Sequence, residues 1–234
     1  KSILVNKIND SLKTNANVEL ATKINTSELT RLSRYYNFAS YSIIAVVMFI
    51  ICLVLSSFNE ESVKKRTIIS SMNYKKYNKY IMLSSILYVL FVVILYTILG
   101  FIVFGSIMFS KRGLIYILNT FIFAIVALAL SLLVSTLVNK KEAVSGIVNV
   151  VALSQAFLCG AFIPVMWLPD GVLKLAHVFP AYYYINSNEL LASLEVLSFS
   201  NLKLIFINMG VMILFIVVFI ILNNIFSKKK QVLR

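Results

Sequence analysis

The chain has 234 residues, 60% of them hydrophobic and only 13% charged, where a soluble domain has about a half and a quarter. With a mean hydropathy of +0.90, a water-soluble fold of this size has no interior large enough for that much apolar surface, which excludes a soluble enzyme and a disordered tail. Two cysteines, Cys52 and Cys159, exclude a disulfide scaffold, and the 22 Lys+Arg against 9 Asp+Glu give a net charge of +13. In a soluble protein that excess would point to nucleic acid; in a membrane protein it reports topology.

Residues 1–36 are polar and carry no signal-peptide core. The first long apolar stretch free of charge and histidine follows at 37–57, and others run over 80–109, 114–138, 143–166 and 204–226. Each reaches the ~20 residues a helix needs to cross the hydrocarbon. They are continuously apolar rather than alternating, which excludes an outer-membrane barrel. The expected fold is all-α: a polytopic helical membrane bundle with five spans, taking 37–226 as its membrane domain.

The loop between the first two spans, 58–79, starts acidic at Glu60 and Glu61 and turns basic at Lys64, Lys65 and Arg66, an order that suits the helix dipole. Val63, Ile68, Ile69 and Met72 give a partial apolar face, and Tyr74, Tyr77 and Tyr80 approach the next span. This predicts a short helix at the membrane interface, either a solvated basic loop with aromatic anchors or a docking element for a soluble partner. In the third span Ala124, Ala127, Ser131 and Ser135 form a small-residue stripe. The fourth has a longer one: Ser145, Asn149, Ala152, Ala156 and Gly160 share a helical face, with Gln155 beside it. Such stripes serve close helix packing, a subunit interface or a mildly polar substrate path.

All three prolines, Pro164, Pro169 and Pro180, fall in the segment that follows. Pro164 is expected to kink or end the fourth span. Trp167 marks the membrane interface, Asp170 is a candidate N-cap, and residues 172–179 read as a short helix ended by Pro180. A second short helix is expected over 187–197. An outer segment this apolar predicts a re-entrant gate over 164–200 that folds back on the bundle. Residues 227–234 form a basic tail.

Basic residues near the span ends number 12 on the side of 58–79, Lys140, Lys141 and the tail, against 7 on the other. The positive-inside rule therefore places the C-terminus in the cytoplasm and residues 1–36 outside. A polar segment outside the membrane needs an upstream span, so the chain reads as an N-terminally truncated piece. Its frequent Lys, Ile and Asn fit an AT-rich bacterial genome. No carboxylate, histidine or basic side chain lies inside the spans, which argues against a proton or ion relay. HExxH, GxSxG and GxxxxGK[ST] are all missing from the sequence. ATP, if it drives the protein, is bound by another polypeptide.

Several segments carry a resemblance to a known family: Glu60/Glu61 to Arg66, Tyr77 to Lys79, Gly160-Ala161-Phe162-Ile163-Pro164, Leu168-Pro169 and Phe179-Pro180. At these residues the chain resembles the membrane subunit of an ABC exporter, the type-2 permease family. Ser71-Met72 stands where many members have Ser-Pro. The resemblance implies six spans in the complete protein and a coupling loop at 58–79. It also implies two short outer helices before the last span and a second permease subunit in a dimer. A separate ABC ATPase subunit would hold ATP and Mg, this chain binding no cofactor or metal itself. The implied activity is export of a drug, lipid, peptide or glycan across the cell membrane. The competing readings are a non-transporting scaffold or sensor subunit and a secondary transporter; nucleic acid is not needed to explain the charge.

Overall fold

The computed structural model describes residues 26–58, 60, 63, 65–66, 74–138 and 141–232. Among the described residues all regular structure is helical. Seven α-helices are described over their full range, in order: α1 Thr26–Phe58, α2 Tyr74–Phe104, α3 Lys111–Leu137, α4 Lys141–Leu158, α5 Asp170–Ala176, α6 Pro180–Ser193 and α7 Phe199–Val232. Short 3-10 turns cover Gly105–Phe109 and Val165–Trp167.

Among the described residues four segments are long and apolar enough to cross a membrane: Ser27–Phe58, Lys79–Phe109, Lys111–Leu137 and Phe199–Lys228. Helix α4, which carries the fourth of the five expected spans, is not among them. It has 18 residues, and its first turn holds Lys141 and Glu142. At 1.5 Å per residue that is ~27 Å, short of the ~30 Å hydrocarbon layer.

The boundaries differ from the sequence expectation for identifiable reasons. Helix α1 begins at Thr26, not at residue 37, because Leu29, Leu32 and Tyr36 give the polar stretch a buried face. Helix α4 ends at Leu158, well before Pro164, and Gly160 turns the chain with φ +100°. The amides of Ala161 and Phe162 both return to the Ala156 carbonyl, at 3.1 and 3.2 Å, the reversal a left-handed glycine permits at a helix end. Asp170 is the first residue of α5 and Pro169 is its N-cap, without a side-chain cap. Pro180 does not end a helix; it starts α6, where its fixed φ and missing N–H cost nothing. Accordingly the second short helix is Pro180–Ser193 instead of 187–197.

Helix α3 is the axis of the bundle. It packs on α1, α7 and α2, while α4 and α6 lie against α1, and α6 bridges to α7. More of α3 is buried than of the other three crossing helices; α2 and α7 are the least buried. Phe91, Ile94 and Ile102 on α2 and Leu214, Val217 and Ile221 on α7 stand exposed. In water such apolar flanks would mark an interaction surface or an aggregation site; on helices of this length they suit lipid.

The core at the α1–α3–α6 junction is aromatic. Tyr36 and Tyr116 stack with centroids 5.0 Å apart, and Phe123 and Tyr184 with centroids 4.4 Å apart. All four are fully buried. Cys52 and Cys159 are buried and free, and the Cys52 thiol donates to the Ser131 carbonyl at 3.4 Å. They act as packing residues.

Candidate functional site

Two regions at opposite ends of the bundle hold the residues that chemistry can use. At one end α1 finishes, α2 starts, α3 finishes and α4 starts. There the Lys141 ammonium meets the Glu60 carboxylate at 2.5 Å, and the Phe58 and Tyr77 rings pack edge-on, 5.9 Å apart. Val63, Lys65 and Arg66 are helical, with Lys65 and Arg66 exposed. Glu61 and Lys64 lie outside the described residues, as do residues 67–73; Tyr74 begins α2. The Glu60–Lys141 pair is part-exposed on both sides, so it contributes at most about 1 kcal/mol of stability. Its consequence is mechanical: it joins the loop to the first turn of α4.

The small-residue stripe of α4 divides. Ala152, Ala156 and Gly160 are buried with Gln155, while Ser145 and Asn149, nearer the Lys141 end, are exposed. The buried half belongs to the helix that packs on α1. The Gln155 Oε1 has no hydrogen-bond partner among the described residues. On α3, Ala124, Ala127, Ser131 and Ser135 are all buried.

Towards the opposite end, a buried polar network links three helices. The Asn119 amide on α3 donates to the Asn188 Oδ1 on α6 at 2.8 Å and to the Tyr184 carbonyl at 3.1 Å. The Asn188 amide donates to the Asn37 Oδ1 on α1 at 3.1 Å. Asn37 in turn donates to the Glu189 Oε1 at 3.5 Å. Tyr116 donates to the Asn188 carbonyl at 2.9 Å, and the Thr120 and Tyr184 hydroxyls meet at 3.0 Å. The Asn119 Oδ1 has no partner among the described residues; the other buried amides and hydroxyls, paired in this way, favour one arrangement of α1, α3 and α6.

Arg112, at the start of α3, is 7% exposed. Its guanidinium donates to the carbonyls of Leu191 and Glu195 at 2.9 Å each, and to that of Leu194. These are carbonyls at and just beyond the C-terminus of α6, which carry the negative end of its dipole. A fork of five donors fits several of them at once.

Beside the network opens a cleft of about 1050 Å³, lined by the first turns of α1, by Tyr96 and Phe104 of α2, by residues 160–167 and by Glu189 of α6. Two of the expected gate residues, Pro164 and Trp167, line it, together with Gly160. Pro169 is exposed at the start of α5, and Pro180 is buried under α6. Arg31, Arg34 and Glu189 give the lining both signs of charge. Burial pushes the Glu189 carboxyl above its ordinary value. Sequence reasoning missed Glu189, Arg112 and the Asn37–Asn119–Asn188 chain. Only a search for uncharged amides inside apolar spans would have found Asn37 and Asn119. His177 is exposed and rests its ring against Tyr182 at 4.1 Å.

No group of three or more His, Cys, Asp or Glu that could hold a metal occurs among the described residues. No curated protein and no solved structure matches the chain. A family model described as ABC-2 family transporter protein matches residues 1–224, nearly the whole length. Members of that family are membrane permeases, generally not enzymes, that normally work with an ABC ATPase subunit. With its long apolar helices, the chain belongs to the ABC-2 family as the multi-pass membrane permease of an ABC transporter.

Proposed function

We propose that this permease is the membrane half of an ATP-driven exporter, with the loop 58–79 as the docking element for a separate ATPase and the outer cleft as the exit side. A second permease subunit completes the pathway. In this reading α4 is inserted in the membrane as well, the C-terminus is cytoplasmic, and the segment 164–200 gates the outer face. The cargo is a drug, lipid, peptide or glycan, and this chain binds no nucleotide.

The observation that carries the reading is the Glu60–Lys141 pair. A push on the loop from an ATPase reaches α4 through this contact. The buried Ala152 and Ala156 lie on α4, which packs against α1, so the push passes on to α1. At its far end α1 is tied through Asn37 to Asn188 and Glu189 of α6, and the Gly160 turn lines the cleft. Mechanical continuity from loop to cleft needs no ionisable relay, in keeping with the energy being supplied elsewhere.

The test is affinity purification of the tagged full-length chain from native membranes. The reading expects a phosphate-loop ATPase to remain bound through washing at moderate salt. Recovery of the chain with no ATPase in any mild detergent contradicts it and favours a scaffold.

A further inference from the structure

The outer cleft carries charges of both signs that the transport reading does not use. Arg31 and Arg34 stand three residues apart on α1, both exposed and both lining the cleft, so they point the same way. Among the described residues no carboxylate pairs with either. Glu189 also lines the cleft and is half-buried, and its only hydrogen bond among the described residues is the long one from the Asn37 amide at 3.5 Å. Much of the remaining wall is aromatic: Tyr35, Phe38, Tyr96, Phe104, Phe162 and Trp167.

This combination selects by charge. A simple anion held by the two guanidiniums meets the Glu189 charge, and a simple cation at Glu189 meets the guanidiniums. A ligand with a phosphate and an ammonium a few bonds apart satisfies both. Guanidinium forks match phosphate oxygens in a bidentate way; a carboxylate beside aromatic faces takes an ammonium by ion pairing and cation–π attraction. The volume of about 1050 Å³ leaves room for the atoms next to such a head. Trp167, 74% exposed, and Met166, 85% exposed, form an apolar lip.

We infer that the outer cleft is a binding site for a phosphoammonium zwitterion, with its phosphate on Arg31 and Arg34 and its ammonium on Glu189. The head comes either from a phospholipid of the surrounding bilayer or from a soluble phosphoamine. The site goes beyond the transport reading and stands whether or not an ATPase docks at the other end.

The chain supplies its own reporter, because Trp167 is its single tryptophan. The full-length protein in an uncharged maltoside is titrated, with Trp167 emission as readout, against dihexanoyl phosphatidylethanolamine, dihexanoyl phosphatidylglycerol and free phosphoethanolamine. Phosphatidylethanolamine is expected to act at about fivefold lower concentration than phosphatidylglycerol, the effect of one partly exposed charge pair. Glu189→Gln, which keeps an acceptor for Asn37, should remove that preference, and Arg31→Ala with Arg34→Ala should abolish both lipid responses. A response to free phosphoethanolamine assigns the soluble source; a response to the lipid alone assigns the bilayer. Equal action of the two lipids on the unaltered chain overturns the site, as does a preference that survives Glu189→Gln. ATPase recovery is scored separately, so its failure is not confused with failure of this site.

Discussion

The Asn119 side chain on α3 donates to the Asn188 side chain on α6 at 2.8 Å, and Asn188 passes a hydrogen bond on to Asn37 of α1. Asn188 is fully buried and Asn119 nearly so. Replacing Asn188 by Leu removes an acceptor from Asn119 and a donor from Asn37. The expected loss is about 1–3 kcal/mol, the cost of leaving buried polar groups unpaired. Thermal unfolding in detergent, followed by Trp167 emission, should show a clear drop in midpoint, with Ser193→Ala, exposed at the end of α6, unchanged as control.

Arg112→Met leaves the carbonyls of Leu191, Leu194 and Glu195 without their donor. The end of α6 should fray and expose residues 194–198. Limited proteolysis should cut there faster than in the unaltered chain. Arg112→Lys, with a point charge and no planar fork, should restore protection only in part.

Gly160→Ala places a Cβ 2.5 Å from the Val165 Cγ2, at a backbone with φ +100°. The strain is expected to cost about 1–3 kcal/mol. Val165→Ala in the same chain relieves the contact but not the backbone, so thermal stability should recover only partly. Full recovery would show that φ contributes little.

Glu189 makes stability depend on pH. Burial raises its carboxyl above the ordinary 4.5, so the folded state binds its proton more tightly than the unfolded chain does. That contribution is fully present below 4.5 and is lost as pH rises through the raised folded value. Glu189→Gln should therefore flatten the fall in thermal midpoint above pH 4.5, and an unchanged slope would remove Glu189 as its source.

The spans were legible because the bilayer acts as solvent: the hydrocarbon demands about 20 apolar residues, and the long stretches on α1, α2, α3 and α7 supply them. Helix ends were less so. Proline is compatible with the position after one helix and with the first position of the next, and only tertiary context makes Pro180 a start. Gly160 read as a packing residue because its spacing matches the stripe; its positive φ is invisible in sequence. The buried polar network was hidden differently. Asn37, Asn119 and the adjacent Asn188 and Glu189 sit on three separate helices, and their meeting depends on how α6 folds back against α1 and α3. Arg112 counted only as an interface charge, yet it is buried as a cap. The Glu60–Lys141 pair joins the loop after α1 to the first turn of α4, two basic segments that the positive-inside count put on one side.

The central claim, that loop 58–79 receives the ATPase, is tested most directly by cysteine crosslinking. The two natural cysteines are buried, so a thiol placed at the exposed Lys65 or Arg66 is the reactive one. In the complex purified with its ATPase, Lys65→Cys or Arg66→Cys treated with a short bismaleimide should give a crosslinked band containing both chains. A cysteine at exposed Phe109, at the opposite end, should give none. If no loop position crosslinks while the ATPase remains bound, the docking role of the loop is wrong.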